Sequence, residues 1–177
     1  MEISKIEKKV IESLSVFLEN QHPYENSHIK NTASRFMKYI KEFTKGYHED
    51  IPSILEDALY KNNDDSLQII HQNNIAFSTI CIHHLLPFYG TIDVEFKPDE
   101  WIVGLSKIPR ICNILSQRMN IQEKLGKDIV KHIFSALGPK YVKVTVRAQH
   151  CCMGCRGIQN NAETVTTHYL ERFPSAI

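Results

Sequence analysis

The stretch STICIHHLLPFYG, residues 78–90, sets Cys81, His83 and His84 within four positions, and HCCMGC, residues 150–155, brings His150, Cys152 and Cys155 together later in the chain. Cys81 and His84 form a C-x2-H pair, Cys152 and Cys155 a C-x2-C pair, and thiolates with imidazoles at this spacing suit zinc. Four such donors would close a tetrahedral site that only ties two segments together. Three would leave a position for water, whose pKa on the metal falls toward about 7, so that hydroxide forms at neutral pH. His83 and His150 favour the open site. A closed site needs neither, and each lies within two positions of a candidate ligand, where an imidazole can move protons near neutral pH. A single Cys or His on an apolar strand face is ordinarily a hydrogen-bonded core residue. An apolar strand ending in His-Cys-Cys is different, because it would put several polar groups where each needs a partner.

Other residues bear on charge. Lys107 and Arg110 lie one helical turn apart behind GLS, residues 104–106, where a helix N-terminus favours phosphate; a surface ion pair is the plainer reading. Arg156, just before Gly157, could reach the metal segment or be an ordinary loop arginine. Glu123 stands three positions after Asn120, as in a capping box, which by itself requires no ligand.

These residues need elements to hold them. Ile3, Ile6, Val10, Leu14, Phe17 and Leu18 recur at helical spacing and predict an amphipathic first helix. A second is expected from Asn31 or Thr32, with Phe36, Ile40 and Phe43 on one stripe and Gly46 as its stop. KNNDDS, residues 61–66, separates this helical part from the remainder of the chain, giving an N-terminal helical region over 1–60 and a catalytic unit over 61–177 within one structural domain. Period two then predicts strands through Ile75, Phe77, Thr79 and Cys81, and through Ile92, Val94 and Phe96, with FYG and KPDE as connections. Ser106 can cap a helix carrying Ile108, Ile111 and Leu115, and Pro109 is tolerable in its first turn. Asn120 can start a companion helix through Leu125, Ile129 and Ile133 that stops at Gly138-Pro139. Finally, Val142, Val144, Val146, Ala148, His150 and Cys152 share one face of a last alternating run.

The 177 residues suit one buried domain. With 21 Lys+Arg against 20 Asp+Glu, the formal charge of +1 excludes a generally basic nucleic-acid binder and leaves any anionic ligand to a local cluster. No apolar run approaches the roughly 20 residues that cross a bilayer, and MEISKIEKKV carries charge where a secretion signal is apolar. The expectation is therefore a cytoplasmic protein with no membrane partner. Its five cysteines, an odd number, read as thiols or ligands rather than a disulfide framework.

CIHHLLPFYG, GLSKIPRI, QRMNIQEKL and HCCMGCRGIQ, in that order and spacing, resemble the signature segments of GTP cyclohydrolase I, and the resemblance runs from about Thr32 to Phe173. It implies an α+β tunnelling fold: an antiparallel sheet with a helix pair on one face and N-terminal helices, assembling into rings. The family's enzymes stack two five-membered rings into a homodecamer, with the first helix packed between subunits. Carried over by position, the zinc ligands fall on Cys81, His84 and Cys152, and the proton-transferring histidines on His83 and His150. The purine pocket falls on Gln122 and Glu123. The triphosphate site falls on Lys107, Arg110 and Arg156, with Arg35 and Lys38 from TASRFMK, and Ser106 stands near ribose and phosphates.

The implied reaction converts GTP to 7,8-dihydroneopterin triphosphate for folate or another pterin. His150 protonates N7 of the guanine while C8 is hydrolysed, formate leaves, the ribose undergoes an Amadori rearrangement, and a new ring closes with His83 assisting.

The sequence departs from the family pattern in three places. Ile82 stands where CEHH has glutamate, which removes an acceptor that could orient an imidazole or water. Gly154 and Cys155 replace bulkier residues and add a thiol near the metal. The sequence given stops at Ile177, where family members continue into a helix that makes ring contacts. The alternatives are a diverged enzyme that ends at a ring-opened formyl product or serves a deazapurine pathway, and a catalytically silent zinc and nucleotide binder. The nitrile reductase of queuosine biosynthesis shares the fold, but its cysteine nucleophile and nicotinamide fit poorly with paired histidines and phosphate-binding cations.

Overall fold

A computed structural model of the chain describes residues 3–21, 29, 31–55, 57–63 and 69–172. Phe173, where the resemblance ends, and residues 64–66 of the polar break lie outside them. Contacts divide the chain into two units that meet between Thr44 and Lys45.

The first unit holds α1 (Ile3–Gln21) and α2 (Thr32–Thr44). They pack on each other, with Lys41 Nζ on a Glu7 carboxylate oxygen at 2.7 Å. The rings of Phe36, Tyr39 and Phe43 meet at tilted angles along α2, as the spacing of Phe36 and Phe43 predicts. The helix gives way to a 3-10 turn, Lys45–His48, that carries the chain past Gly46.

The second unit is built on a five-stranded sheet. After a short helix α3 (Ile51–Leu55) come β1 (Leu59–Lys61), β2 (Ile70–Cys81), β3 (Pro87–Lys97), β4 (Trp101–Val103), α4 (Lys107–Ser116), β5 (Met119–Asn120), α5 (Gln122–Leu137), β6 (Tyr141–His150), α6 (Cys151–Gly154) and β7 (Thr164–Glu171). The sheet order is β5-β2-β3-β6-β7, antiparallel except where β5 runs parallel to β2, and β1 with β4 forms a separate ribbon. No helix among the described residues is long and apolar enough to cross a membrane.

Alternation decides which face is buried. Ile92, Val94 and Phe96 of β3 and Val142, Val144 and Val146 of β6 are fully buried. Against them lie Ile108, Ile111 and Leu115 of α4 and Leu125, Ile129 and Ile133 of α5, the stripes that their spacing predicts. Gly138, with φ at 53°, closes α5 in the left-handed conformation that glycine adopts without cost. The opposite face is polar and ion-paired: Asp93 faces Arg147, and Glu95 faces Lys143 and Tyr141.

Some local expectations give way. Phe88, Tyr89 and Gly90 are part of β3, not a connection. The true turn is residues 82–86, where Leu85 has φ of 55°, and Gly90 is needed inside the strand because a Cβ there would collide with the Arg147 carbonyl. Asn120 does not cap α5. It is buried in β5, where its Nδ2 donates to Thr79 Oγ1 and to the Leu115 and Arg118 carbonyls, and Ile121 takes the cap position. Ser106 is at the N-cap of α4 but makes no capping bond with its side chain. The alternation of β6 stops at His150, so Cys152 sits on the turn of α6 instead of the strand.

Candidate metal and proton-transfer site

One end of the sheet gathers the chemistry. β2 ends at Cys81, whose N–H donates to Leu86 O at 2.9 Å while its own carbonyl accepts from Leu85 N at 2.8 Å, closing a tight turn. The Ile82 N–H is tied to Asn120 O at 3.0 Å. His83 and His84 ride on this turn, exposed, with ring centroids 6.4 Å apart. Two strands away, β6 ends at His150, and α6 turns the chain back so that Cys152 faces Cys81.

The result is a cluster in which donor atoms of Cys81, His84 and Cys152 all lie within 4.8 Å of one another. Donors around a tetrahedral zinc, at about 2.0–2.3 Å from the ion, stand roughly 3.5–3.8 Å apart, so the trio is close to that geometry. The Cys152 thiol is held above its ordinary range, by burial first and then by the neighbouring Cys81 thiol, a repulsion that a bound cation would reverse. Cys155 is turned elsewhere: its Sγ sits 2.7 Å from the Cys151 carbonyl. Gly154 leaves room for Asn161, whose side-chain oxygen occupies the space a Cβ would need.

Both candidate proton carriers are at this end. Nδ1 of His83 is 3.6 Å from Cys81 Sγ. His150 stacks on buried Phe88, centroids 4.6 Å apart and planes within 11°, and its Nε2 is 2.7 Å from Gln122 Oε1. Burial pushes the His150 imidazole below its ordinary pKa, and the Glu123 carboxylate opposes this, which places Glu123 within electrostatic reach. Glu123 itself is exposed at the start of α5, whereas Gln122 beside it is buried. Sequence reasoning missed Phe88, whose pairing with His150 across β3 and β6 depends on a strand register that no local spacing reveals.

The basic residues do not all arrive here. Arg156 follows α6, four positions after Cys152, and is exposed. Lys107 and Arg110 are at the other end of α4. Gln72 Nε2 donates to Leu105 O at 2.8 Å, and Arg110 lines a hollow with Asn73, Asn74, Ile75 and Ala76, whereas the far end of α4 meets Asn120 beside Cys81. From Ala76 to Cys81 the strand alone covers roughly 17 Å. Ser106 belongs to that distant group, and Arg35 and Lys38 are on α2 of the other unit.

The family model described as GTP cyclohydrolase I matches residues 6–175. The protein named GTP cyclohydrolase 1 from Campylobacter curvus is 40% identical over 78% of this chain and 72% of its own length. Those from Campylobacter lari and Parabacteroides distasonis are 36% and 37% identical, over 94% and 86% of this chain and 85% and 78% of theirs. Among solved structures, the apo archaeosine synthase QueF-Like is similar with a TM-score of 0.49 at 19% identity, covering 62% of this chain and 100% of that one. A match across nearly the whole length, with relatives at this identity, makes the chain an enzyme of the GTP cyclohydrolase I family.

Proposed function

We propose that the enzyme hydrolyses the imidazole ring of GTP in a zinc-dependent reaction, releases formate and forms 7,8-dihydroneopterin triphosphate. The observation that carries this reading is the convergence of Cys81, His84 and Cys152 within 4.8 Å at the end of the sheet where His150 and His83 also lie. Cys81, His84 and Cys152 would hold zinc through two thiolates and an imidazole, and the ion would supply hydroxide at neutral pH for the hydrolysis at C8.

The chain's own residues do the rest. His150, stacked on Phe88, delivers a proton to N7, which draws electrons from C8 and readies it for attack. Glu123 accepts from the N–H edge of guanine and fixes which edge of the base faces the metal. His83, at the mouth of the turn, serves the later proton transfers of the ribose rearrangement. Arg156 meets the triphosphate on the metal side, and Lys107 and Arg110, with Ser106, bind it from a helix N-terminus.

In one chain that helix N-terminus lies toward the other end of β2 from the metal donors. The reading therefore includes a ring-forming homo-oligomer, a decamer of two stacked pentamers in a tunnelling fold, in which a neighbouring copy brings its Lys107 and Arg110 to this copy's metal. Arg35 and Lys38 complete the cationic set. Zinc-loaded and chelator-stripped protein given GTP should differ as active and inactive, read by pterin fluorescence after oxidation. Equal rates in the two preparations would remove the metal from the reaction.

One observation favours a second reading. Ile82, 54% exposed, offers no hydrogen-bond acceptor beside His83, and an enzyme unable to orient that imidazole would end at the ring-opened formyl product. GTP loss without pterin would identify it.

A further inference from the structure

Gln122 opens α5 and is only 2% exposed, yet every polar atom of its amide is engaged. Its Nε2 donates to the backbone carbonyls of Val146 at 3.0 Å and Thr164 at 2.9 Å, one from β6 and one from β7. Carbonyl oxygens only accept, so both amide hydrogens point at the sheet. What remains to face His150 Nε2, 2.7 Å away, is the amide oxygen. An oxygen accepts too, so the hydrogen of that bond belongs to His150 Nε2. The ring cannot easily turn to present its other nitrogen, because Phe88, 0% exposed and paired with His150 across the β3–β6 ladder, stacks on it.

We propose that Gln122 is a positioning residue that locks His150 as the Nε2–H tautomer and thereby makes Nδ1 the nitrogen that exchanges a proton with the substrate. The resemblance assigns Gln122 to the purine; its burial and bonds assign it to the histidine behind the purine. The inference rests on the proposed role of His150. In that step the Nδ1–H bond of the imidazolium breaks, its electron pair stays on Nδ1, and the proton forms the N–H bond at N7, leaving His150 neutral with its remaining hydrogen on Gln122. Without the lock, part of the neutral population would carry its hydrogen on Nδ1 and could not take the proton back there.

The first test uses zinc-loaded wild-type protein with heavy-nitrogen-labelled histidine at about pH 8, well above the ordinary histidine range. Long-range proton–nitrogen correlations, with the His150 signals identified by their loss in His150→Gln, should show Nε2 bearing the hydrogen and Nδ1 bare. A hydrogen on Nδ1, or averaging between the two, would overturn the proposal. The second uses Gln122→Met, which keeps the volume and removes the amide. Zinc content and KM should stay near wild type, kcat should fall roughly ten- to hundredfold, at or below the low end of the roughly 10²–10⁴-fold that a general acid–base group itself supplies, and the His150 signals should average. A folded variant with unchanged kcat, or an unchanged tautomer signal, overturns it as well. Should Gln122→Met fail to fold, the wild-type spectrum decides alone. The two readings fail separately: wild-type protein that leaves GTP intact defeats the proposed reaction while the spectrum still judges the lock, and an active wild type with an equally active Gln122→Met defeats the lock alone.

Discussion

Cys81, His83 and His84 sit on one turn, but the proposed reaction gives them different work, and substitution separates the roles. Cys81→Ala should lose both bound zinc and turnover, because a two-donor remnant holds the ion weakly. His83→Ala should keep its zinc and lose turnover by about 10²–10⁴-fold. Metal analysis beside a rate assay checks both, and a zinc-bound, active Cys81→Ala would remove Cys81 from the site. Ile82→Glu restores the carboxylate that the family pattern has here. Since Ile82 is 54% exposed, the change should alter stability by no more than about 0.5 kcal/mol and raise the rate of pterin formation. A lower rate would mean that the isoleucine fits this site as it stands.

Among elements, the sheet that carries the site has a fully buried face and a polar face, and each gives a measurable consequence. Ile129→Ala in α5 should cost about 2–5 kcal/mol, since Ile129 is 0% exposed and its truncation leaves a cavity in the core; chemical denaturation reads it. On the polar face, Glu95 titrates below the ordinary glutamate range, mainly through the Tyr141 hydroxyl that donates to it at 2.8 Å and also through Lys143 and His71, with burial opposing. A carboxyl depressed in the folded state stabilises the fold above its unfolded value, near 4.3, and that stabilisation disappears as pH falls through the folded value. Tyr141→Phe should therefore weaken the fold at neutral pH and flatten the loss of stability below about pH 4. An unchanged acid limb in denaturation curves would show that Glu95 does not contribute.

The elements were largely legible because α4, α5, β3 and β6 each show one clear period with a buried side. Chain reversals were less so. Phe88-Tyr89-Gly90 looked like a connection because glycine usually marks one, whereas Gly90 is in the strand for the close approach of Arg147 O. Asn120 looked like a cap because local spacing carries no information about Thr79, its partner 41 positions away. Cys81, His84 and Cys152 could be grouped from ligand type, but C-x2-C spacing equally proposed Cys155, and only the turn of α6 decides where that thiol goes. Gln122 was invisible as a partner of His150, 28 positions away.

For the molecule as a whole, the main consequence is the separation of Arg110, beside Asn73 and Asn74, from Cys81 at the other end of β2. If a neighbouring copy supplies the cations, two inactive variants can repair each other. Cys81→Ala and Arg110→Ala, each inactive alone, should regain partial activity when unfolded together and reassembled, since some sites then combine an intact metal end with an intact cationic end. Activity no greater than the two proteins kept apart would place the whole site within one chain.

The most direct measurement tracks formate and pterin together by mass spectrometry as zinc-loaded enzyme consumes GTP. The proposed reaction predicts one formate for each 7,8-dihydroneopterin triphosphate, both abolished when the metal is removed. A formylated ring-opened product accumulating in place of the pterin, or GTP left intact by protein that holds its zinc, would contradict it.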